Sequence, residues 1–237
     1  MRNPAAGADL AAEGITVLAL DVTRPDQIAA AAKAALARGP VDVLFNNAGY
    51  GLAGPFEGAT DAQLRDELDT NLLGVMRVTQ AFLPAMRERG AGTILTTTSI
   101  GGLVTFPFNS VYHATKWGLE GWSESLAYEL APLGIKVKTV APGGIATDFA
   151  GRSLVMTQHA AYGEAMAKTF AAFSNPERRS NASSAEKIAD AVWHAVNDPA
   201  DRVSYVAGDD AKATYAQRLA VGVDAFRAGI RQMFLGG

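Results

Sequence analysis

Five short runs rich in β-branched and aliphatic residues recur along this 237-residue chain, at 16–20, 41–45, 93–98, 136–140 and 203–206. Between them lie stretches of helical periodicity, at 25–37, 60–89, 110–130 and 184–196, and a last one at 209–234 closes the chain. Antiparallel neighbours need only a tight turn, whereas parallel neighbours need a crossover of a dozen or more residues, usually a helix. The spacing therefore predicts an α/β fold: a doubly wound, Rossmann-like parallel sheet with helices on both faces. Local punctuation agrees. Pro25 suits a first helical turn, Gly39-Pro40 ends that helix, and Thr60-Asp61 reads as an N-cap region. Pro84 predicts a bend in the long second helix, and Pro142-Gly143-Gly144 stops the fourth strand. The length suits one domain with a sizeable core. Within it, 148–183 is only weakly periodic and reads as a substrate-facing segment of mixed helix and loop.

In open sheets of this kind, ligands sit outside the carboxyl ends of the strands. The loops after Leu20, Phe45, Thr98 and Val140 are thus where chemistry is expected. Composition narrows the choice. The formal net charge is -3, so no basic excess argues for nucleic acid or an anionic membrane surface. The chain has no cysteine, which excludes disulfides and thiolate metal sites. Its three histidines, His113, His159 and His194, share no ligand-like spacing, so no metal is expected. No apolar run reaches bilayer-spanning length, and Met1-Arg2-Asn3-Pro4 does not resemble a signal peptide; a cytoplasmic location is expected.

Three residues fall on those loops in order. Ser99 ends the third strand, Tyr112 follows, and Lys116 stands four positions after Tyr112 in Tyr-His-Ala-Thr-Lys. Residues four apart share one helix face, so phenol and ammonium can act on the same ligand. A free tyrosine, with a pKa of about 10, is a poor base near neutral pH, and a nearby cation lowers that value. Such a tyrosine can exchange a proton with an alcohol or ketone oxygen while hydride moves at carbon, with Ser99 hydrogen-bonded to the same oxygen and a nicotinamide as the hydride carrier. A serine hydrolase is the rival class. Its Gly-x-Ser-x-Gly elbow is absent, and the nearest string, Gly121-Trp122-Ser123-Glu124-Ser125, lacks the final glycine and lies inside a helix.

With these motifs in this order, the chain resembles the short-chain dehydrogenase/reductase family from about Arg2 to its C-terminus. The resemblance implies catalytic roles for Asn71, Ser99, Tyr112 and Lys116, with Asn71 positioning a proton-relay water. It implies cofactor contacts at Asp21 and Val22 (adenine), in Asn47, Ala48 and Gly49 of Asn-Asn-Ala-Gly, and at Tyr112 and Lys116. Pro142, Gly143, Ile145 and Thr147 match the family's Pro-Gly motif on the nicotinamide side. Arg2 stands where a basic residue contacts the 2′-phosphate, so NADP is expected ahead of NAD. The implied partners are a small alcohol or ketone substrate and a second copy of the chain, paired through the helices at 61–89 and 110–131.

The family's first strand and its Thr-Gly-x-x-x-Gly-x-Gly loop are not found in this sequence, which resembles an N-terminally shortened member lacking the first βαβ element. A shortened gene model, a fragment and a remodelled protein all fit that pattern. One string, Gly49-Tyr50-Gly51-Leu52-Ala53-Gly54, spells Gly-x-Gly-x-x-Gly, but Pro55-Phe56 follows where a helix would have to start. It is read as a flexible loop. Two functions follow: an oxidoreductase of alcohols and ketones, or a cofactor-free relative serving as scaffold or oligomer partner. For the chain as it stands, weak nucleotide binding is expected. The apolar residues Phe149, Leu154, Met156, Tyr162, Met166, Phe170 and Phe173 fit either an apolar substrate or ordinary helix packing.

Overall fold

The structure is a computed structural model that describes residues 1–146, 153–176 and 180–236. Its strands are β1 (Val43–Asn46), β2 (Gly51–Ala53), β3 (Gly92–Thr97), β4 (Ile135–Pro142), β5 (Leu154–Met156) and β6 (Ser204–Ala207). Its α-helices are α1 (Ala8–Ala12), α2 (Pro25–Leu36), α3 (Asp61–Leu68), α4 (Gly74–Arg89), α5 (Ser110–Leu130), α6 (Gly163–Phe173), α7 (Ala185–Asn197), α8 (Asp209–Val221) and α9 (Val223–Leu235). The main sheet has the order β1-β3-β4-β6, and every pairing in it is parallel. The doubly wound α/β architecture read from the alternation is therefore the one observed.

Strand periodicity explains the two cores. Neighbouring side chains point to opposite faces, so Ile94 and Leu95, both fully buried, feed different clusters. Ile94 packs with Ile28, Leu44, Val78, Leu126 and Val137 under α2, α4 and α5. Leu95 packs with Val140, Ile188, Ala195 and Tyr205 under α7. Phe45 pairs with Leu95 across the β1–β3 ladder and shares its face, but α7 covers β4 and β6, and Phe45 stays 41% exposed. Lys138 of β4 is buried because its ammonium closes the C-terminal end of α7. It donates to the carbonyls of Ala195 (2.8 Å) and Asp198 (2.7 Å), where a cation complements the helix dipole.

Four sequence readings change. The run at 16–20 is extended but joins no strand ladder: its backbone partner is Met1, whose ammonium donates to Leu18 O and whose carbonyl accepts from Leu20 N. Leu20 and Val22 still pack on the α2–α4 core, which accounts for the apolar pattern. The string at 49–54 is not a free loop, because Gly51–Ala53 forms β2 and pairs in parallel with β5. The long second helix runs through Pro84; its irregularity is a single π turn, Asp69–Leu73, between α3 and α4. The closing helix is two helices joined at Gly222, whose φ of +80° is a conformation that L side chains rarely adopt. Among the described residues, no helix is long and apolar enough to cross a membrane.

Candidate active site

The carboxyl ends of β1, β3 and β4 and the first turns of α5 meet in one place. Ser99 follows β3 and caps the 3-10 turn Ile100–Gly102, its Oγ accepting from Gly101 N at 3.0 Å. That leaves the serine's own proton free, and the Ser99 hydroxyl acts on the Tyr112 phenol to favour its ionised form. Lys116, one helical turn further along α5, is 5% exposed; its Nζ lies 5.7 Å from the centroid of the Tyr112 ring and donates to Thr97 O at 3.1 Å.

Asn71 enters from the π turn, where i→i+5 bonding disturbs the helix ladder, as is frequent at functional sites. It is fully buried. Its Oδ1 accepts from Tyr50 N (3.0 Å), and its Nδ2 donates to Tyr50 O (2.7 Å) and to Glu67 Oε1 (3.1 Å). This amide thereby splints the backbone just after Asn-Asn-Ala-Gly. Gly49 permits the close approach: a Cβ there would lie 3.1 Å from Asn71 Oδ1 and 3.7 Å from Lys116 Nζ.

Burial dominates the electrostatics. The Tyr112 phenol is pushed up to about 12 by desolvation, against the pull of the Ser99 hydroxyl. The lowering expected from the neighbouring cation is therefore not what the structure shows. Lys116 is itself driven down to about 8 by burial, opposed by the charges of Glu67 and Glu120. Glu120, one turn beyond Lys116, receives the hydroxyls of Thr98 and Thr139, which ties α5 to β3 and β4.

His113 is a core histidine. Its Nε2 accepts from Phe106 N (2.9 Å), which leaves Nδ1 as the protonated nitrogen, donating to Gly101 O (2.7 Å). The ring thus fixes the loop that carries Ser99. Beside it opens a cleft of about 550 Å³ walled by Pro55, Phe56, Phe106, Phe108, His113 and Tyr162. Of the apolar residues in the substrate-facing segment, Tyr162 lines this cleft, whereas Phe173 packs on Phe106 and Phe234. Phe149 lies outside the described residues.

The remaining sequence-predicted residues distribute as follows. Asn47, Ala48 and Gly49 are exposed at the end of β1, with Asn47 Oδ1 accepting from Thr97 Oγ1 at 2.7 Å. After β4, Gly143 N donates to Ala207 O and Gly144 N to Asp210 Oδ2 (2.7 Å), and Ile145 bridges to Ser183. Pro142 ends that strand, and Thr147 lies outside the described residues. Arg2 is exposed ahead of the 3-10 turn Pro4–Gly7 and α1, whereas Asp21 and Val22 follow the extended run at 16–20. Asp21 is held below the usual carboxylate range, chiefly by the Thr23 hydroxyl and amide and in lesser part by the Arg2 charge. Sequence reasoning missed Glu67, Glu120 and Asp210. The first two carried a signal, since Glu67–Asn71 and Lys116–Glu120 are both spaced four apart on one helix face.

The sequence profile of the short chain dehydrogenase family matches residues 3–158. Human 17-beta-hydroxysteroid dehydrogenase type 1 is 45% identical over 135 residues, 57% of this chain and 41% of that protein. A short-chain dehydrogenase from Streptomyces avermitilis superposes with a TM-score of 0.82 at 35% identity, over 98% of this chain and 84% of that one. Another from Burkholderia cenocepacia, solved in complex with NADP, gives 0.70 at 27% identity, over 90% and 79%. A parallel sheet with helices on both faces, a profile matched over most of the chain and a bacterial homologue aligned over nearly all of it agree: this chain belongs to the short-chain dehydrogenase/reductase family of oxidoreductases.

Proposed function

We propose that the chain transfers hydride between NAD(P) and an alcohol or ketone, with Tyr112 as general acid/base. The observation that carries this reading is the convergence of the three side chains: Ser99 Oγ accepts from Gly101 N, Gly101 lies against the Tyr112 ring, and Lys116 Nζ lies 5.7 Å from that ring's centroid. In the reducing direction, Ser99 donates to the substrate oxygen and orients it, and Tyr112 Oη delivers the proton to that oxygen. A phenol near 12 is fully protonated at neutral pH and so ready to act as the acid. In the oxidising direction Tyr112 must receive the alcohol proton, and the Lys116 ammonium then favours the phenolate that takes it. Asn71 holds the Tyr50 backbone and, with Lys116, frames the exposed Asn47–Ala48–Gly49 edge.

The residues present fit the nicotinamide and ribose end of the cofactor. Gly49 leaves backbone uncovered beside Lys116, and the turn after Pro142 is pinned by Asp210. When bound, the nicotinamide supplies or accepts the hydride. The exposed Arg2 guanidinium beside Asp21 supports NADP over NAD, as does the NADP carried by the Burkholderia structure. The cleft beside His113 and the likeness to a hydroxysteroid dehydrogenase support an apolar substrate. Exposed Leu68, Leu73 and Tyr128 (75%) on the helices at 61–89 and 110–131 support pairing with a second copy; light scattering that returns only the monomer mass overturns that part.

The test of the reaction is Tyr112→Phe, assayed with NADPH over a panel of apolar ketones. Turnover is expected to fall by roughly 10²–10⁴-fold with cofactor affinity largely kept. A Phe variant as active as the parent sinks the reading.

A further inference from the structure

Two acidic residues open α8, and they face different ways. Asp209 is exposed and pairs with Lys187 of α7 at 2.7 Å. Asp210 turns inward. Its Oδ2 accepts from Gly144 N at 2.7 Å, and its Oδ1 is buried without a hydrogen-bond partner among the described residues. Room for that carboxyl comes from two glycines. A Cβ on Gly143 would overlap both carboxyl oxygens, and one on Gly208 would lie 2.7 Å from Oδ1 and 2.8 Å from Ser183 Oγ. Gly208 has a φ of +95°, which favours glycine on its own account, but Gly143 does not adopt a positive φ. The backbone at 143 would therefore accept a side chain, and the Asp210 carboxyl is what forbids one.

Three pieces of chain meet at this carboxyl. Gly143 N, just past the end of β4, donates to Ala207 O of β6 at 3.0 Å. Ser183 N donates to Gly144 O at 2.8 Å, and Ala146 N donates to Ser183 O at 2.9 Å. The chain thus leaves β4 and returns at Ser183 through one small junction, and both ends of the substrate-facing segment are fastened there. Gly144 is exposed on that junction, and its N–H is satisfied by Asp210. The carboxyl is the one side chain that bonds the turn; its other bonds are backbone to backbone.

We propose that Asp210 is a positioning residue for hydride transfer: its carboxyl fixes the Gly143–Gly144 turn on the nicotinamide side, and position 143 is glycine in order to admit that carboxyl. A methyl group at 143 would push the carboxyl off the Gly144 amide, so losing the glycine and losing the acid remove the same contact. Without it, Gly144 N has no acceptor and the turn is held by backbone bonds alone. Reaction at a fixed carbon is steeply sensitive to small displacements of this kind. The effect on hydride transfer rests on the proposed function, whereas the hold on the turn does not.

The experiment compares Asp210→Ala, Asp210→Asn, Gly143→Ala and the Gly143→Ala/Asp210→Ala double variant in the full chain. Amide hydrogen exchange is read first, with no cofactor present. Asp210→Ala should speed exchange at Gly144 by about tenfold, the worth of one hydrogen bond, and leave the β4 amides as they were. Asp210→Asn keeps an acceptor and should restore the slow rate. An unmoved Gly144 amide in Asp210→Ala overturns the hold, and faster exchange throughout β4 overturns a role confined to the turn. Gly143→Ala should match Asp210→Ala, and the double variant should be no worse than either; independent, multiplying effects overturn the link between the two residues. If Asp210→Ala does not fold, Gly143→Ala decides, an unmoved Gly144 amide there counting against the proposal. In ketone reduction with NADPH, Asp210→Ala should lower kcat by up to roughly 10²-fold, with the melting temperature kept and Asp210→Asn restoring the rate. A kcat loss that only tracks melting temperature across the variants marks a structural role and overturns the positioning one. So does an equal loss in Asp209→Ala, which alters the same turn of α8 without touching Gly144. Faster Gly144 exchange in a chain that reduces no ketone would support the hold while sinking the proposed reaction. Tyr112-dependent turnover untouched by Asp210→Ala would do the reverse.

Discussion

The two parts of the molecule that carry sequence motifs are held in opposite ways. Asn71 makes its bonds across 21 residues to Tyr50, and its helix reaches α5 through contacts spanning more than 40. Asp21 makes its bonds to Thr23 and Gln27, within six residues of itself. The first cluster exists only when the sheet and helices have assembled; the second is a local turn on a segment that joins no sheet. A buried network is costly to leave half satisfied, whereas a solvated turn loses little when one bond is removed. Functional groups that manage protons therefore sit in the first environment. Groups that would only attract a charged ligand sit in the second.

That contrast is open to direct attack. The largest stability effect is expected for Asn71→Ala, which strands the N–H and C=O of Tyr50 and the Glu67 carboxyl. A loss of roughly 3 kcal/mol in urea unfolding is expected, and a loss below about 0.5 kcal/mol, the range of neutral surface changes, would show that the network is not what holds this region. Arg2→Ala should leave stability within that same neutral range. The preference for NADPH over NADH should nevertheless fall by about tenfold or more, the worth of a charged hydrogen bond to phosphate. An unchanged ratio would detach Arg2 from the cofactor. The smallest effect belongs to Asp21. Its folded pKa lies below the ordinary value of 3.8, so its contribution is present above that value and is lost as pH falls through the folded one. Asp21→Asn should slightly flatten acid unfolding below about pH 4 and change nothing at neutral pH; a neutral-pH loss comparable to that of Asn71→Ala would erase the distinction.

The same contrast explains what was legible in the sequence. Ser99, Tyr112 and Lys116 were readable because strand end, helix start and i,i+4 spacing are local properties that survive folding unchanged. The four strands of the main sheet were readable within one or two residues for the same reason. The run at 16–20 misled because its apolar side chains do pack, on α2 and α4, while its backbone lies against Met1 instead of a neighbouring strand. β2 was invisible, since its three residues become a strand only by meeting β5 about a hundred positions later. The charge state of Tyr112 was likewise unreadable. The spacing to Lys116 promised a lowered pKa, but the desolvation that opposes it arises only once the folded chain buries the phenol.

The π turn at Asp69–Leu73 has a consequence for how this helix tolerates editing. A residue of α-helix advances the azimuth by about 100°, and the wider turn carries one residue more than the α ladder would use. That surplus sets the phase between the two flanks: α3 turns Glu67 inward onto Asn71 while α4 aims Val75 and Val78 into the core. Deleting any single residue from 69 to 73 would give a more regular helix and a worse protein. Either Asn71 would rotate off the Tyr50 backbone, or Val78 would rotate off the sheet. Elsewhere a surface helix absorbs such a slip at its frayed ends; here both ends are clamped, and the slip would have nowhere to go.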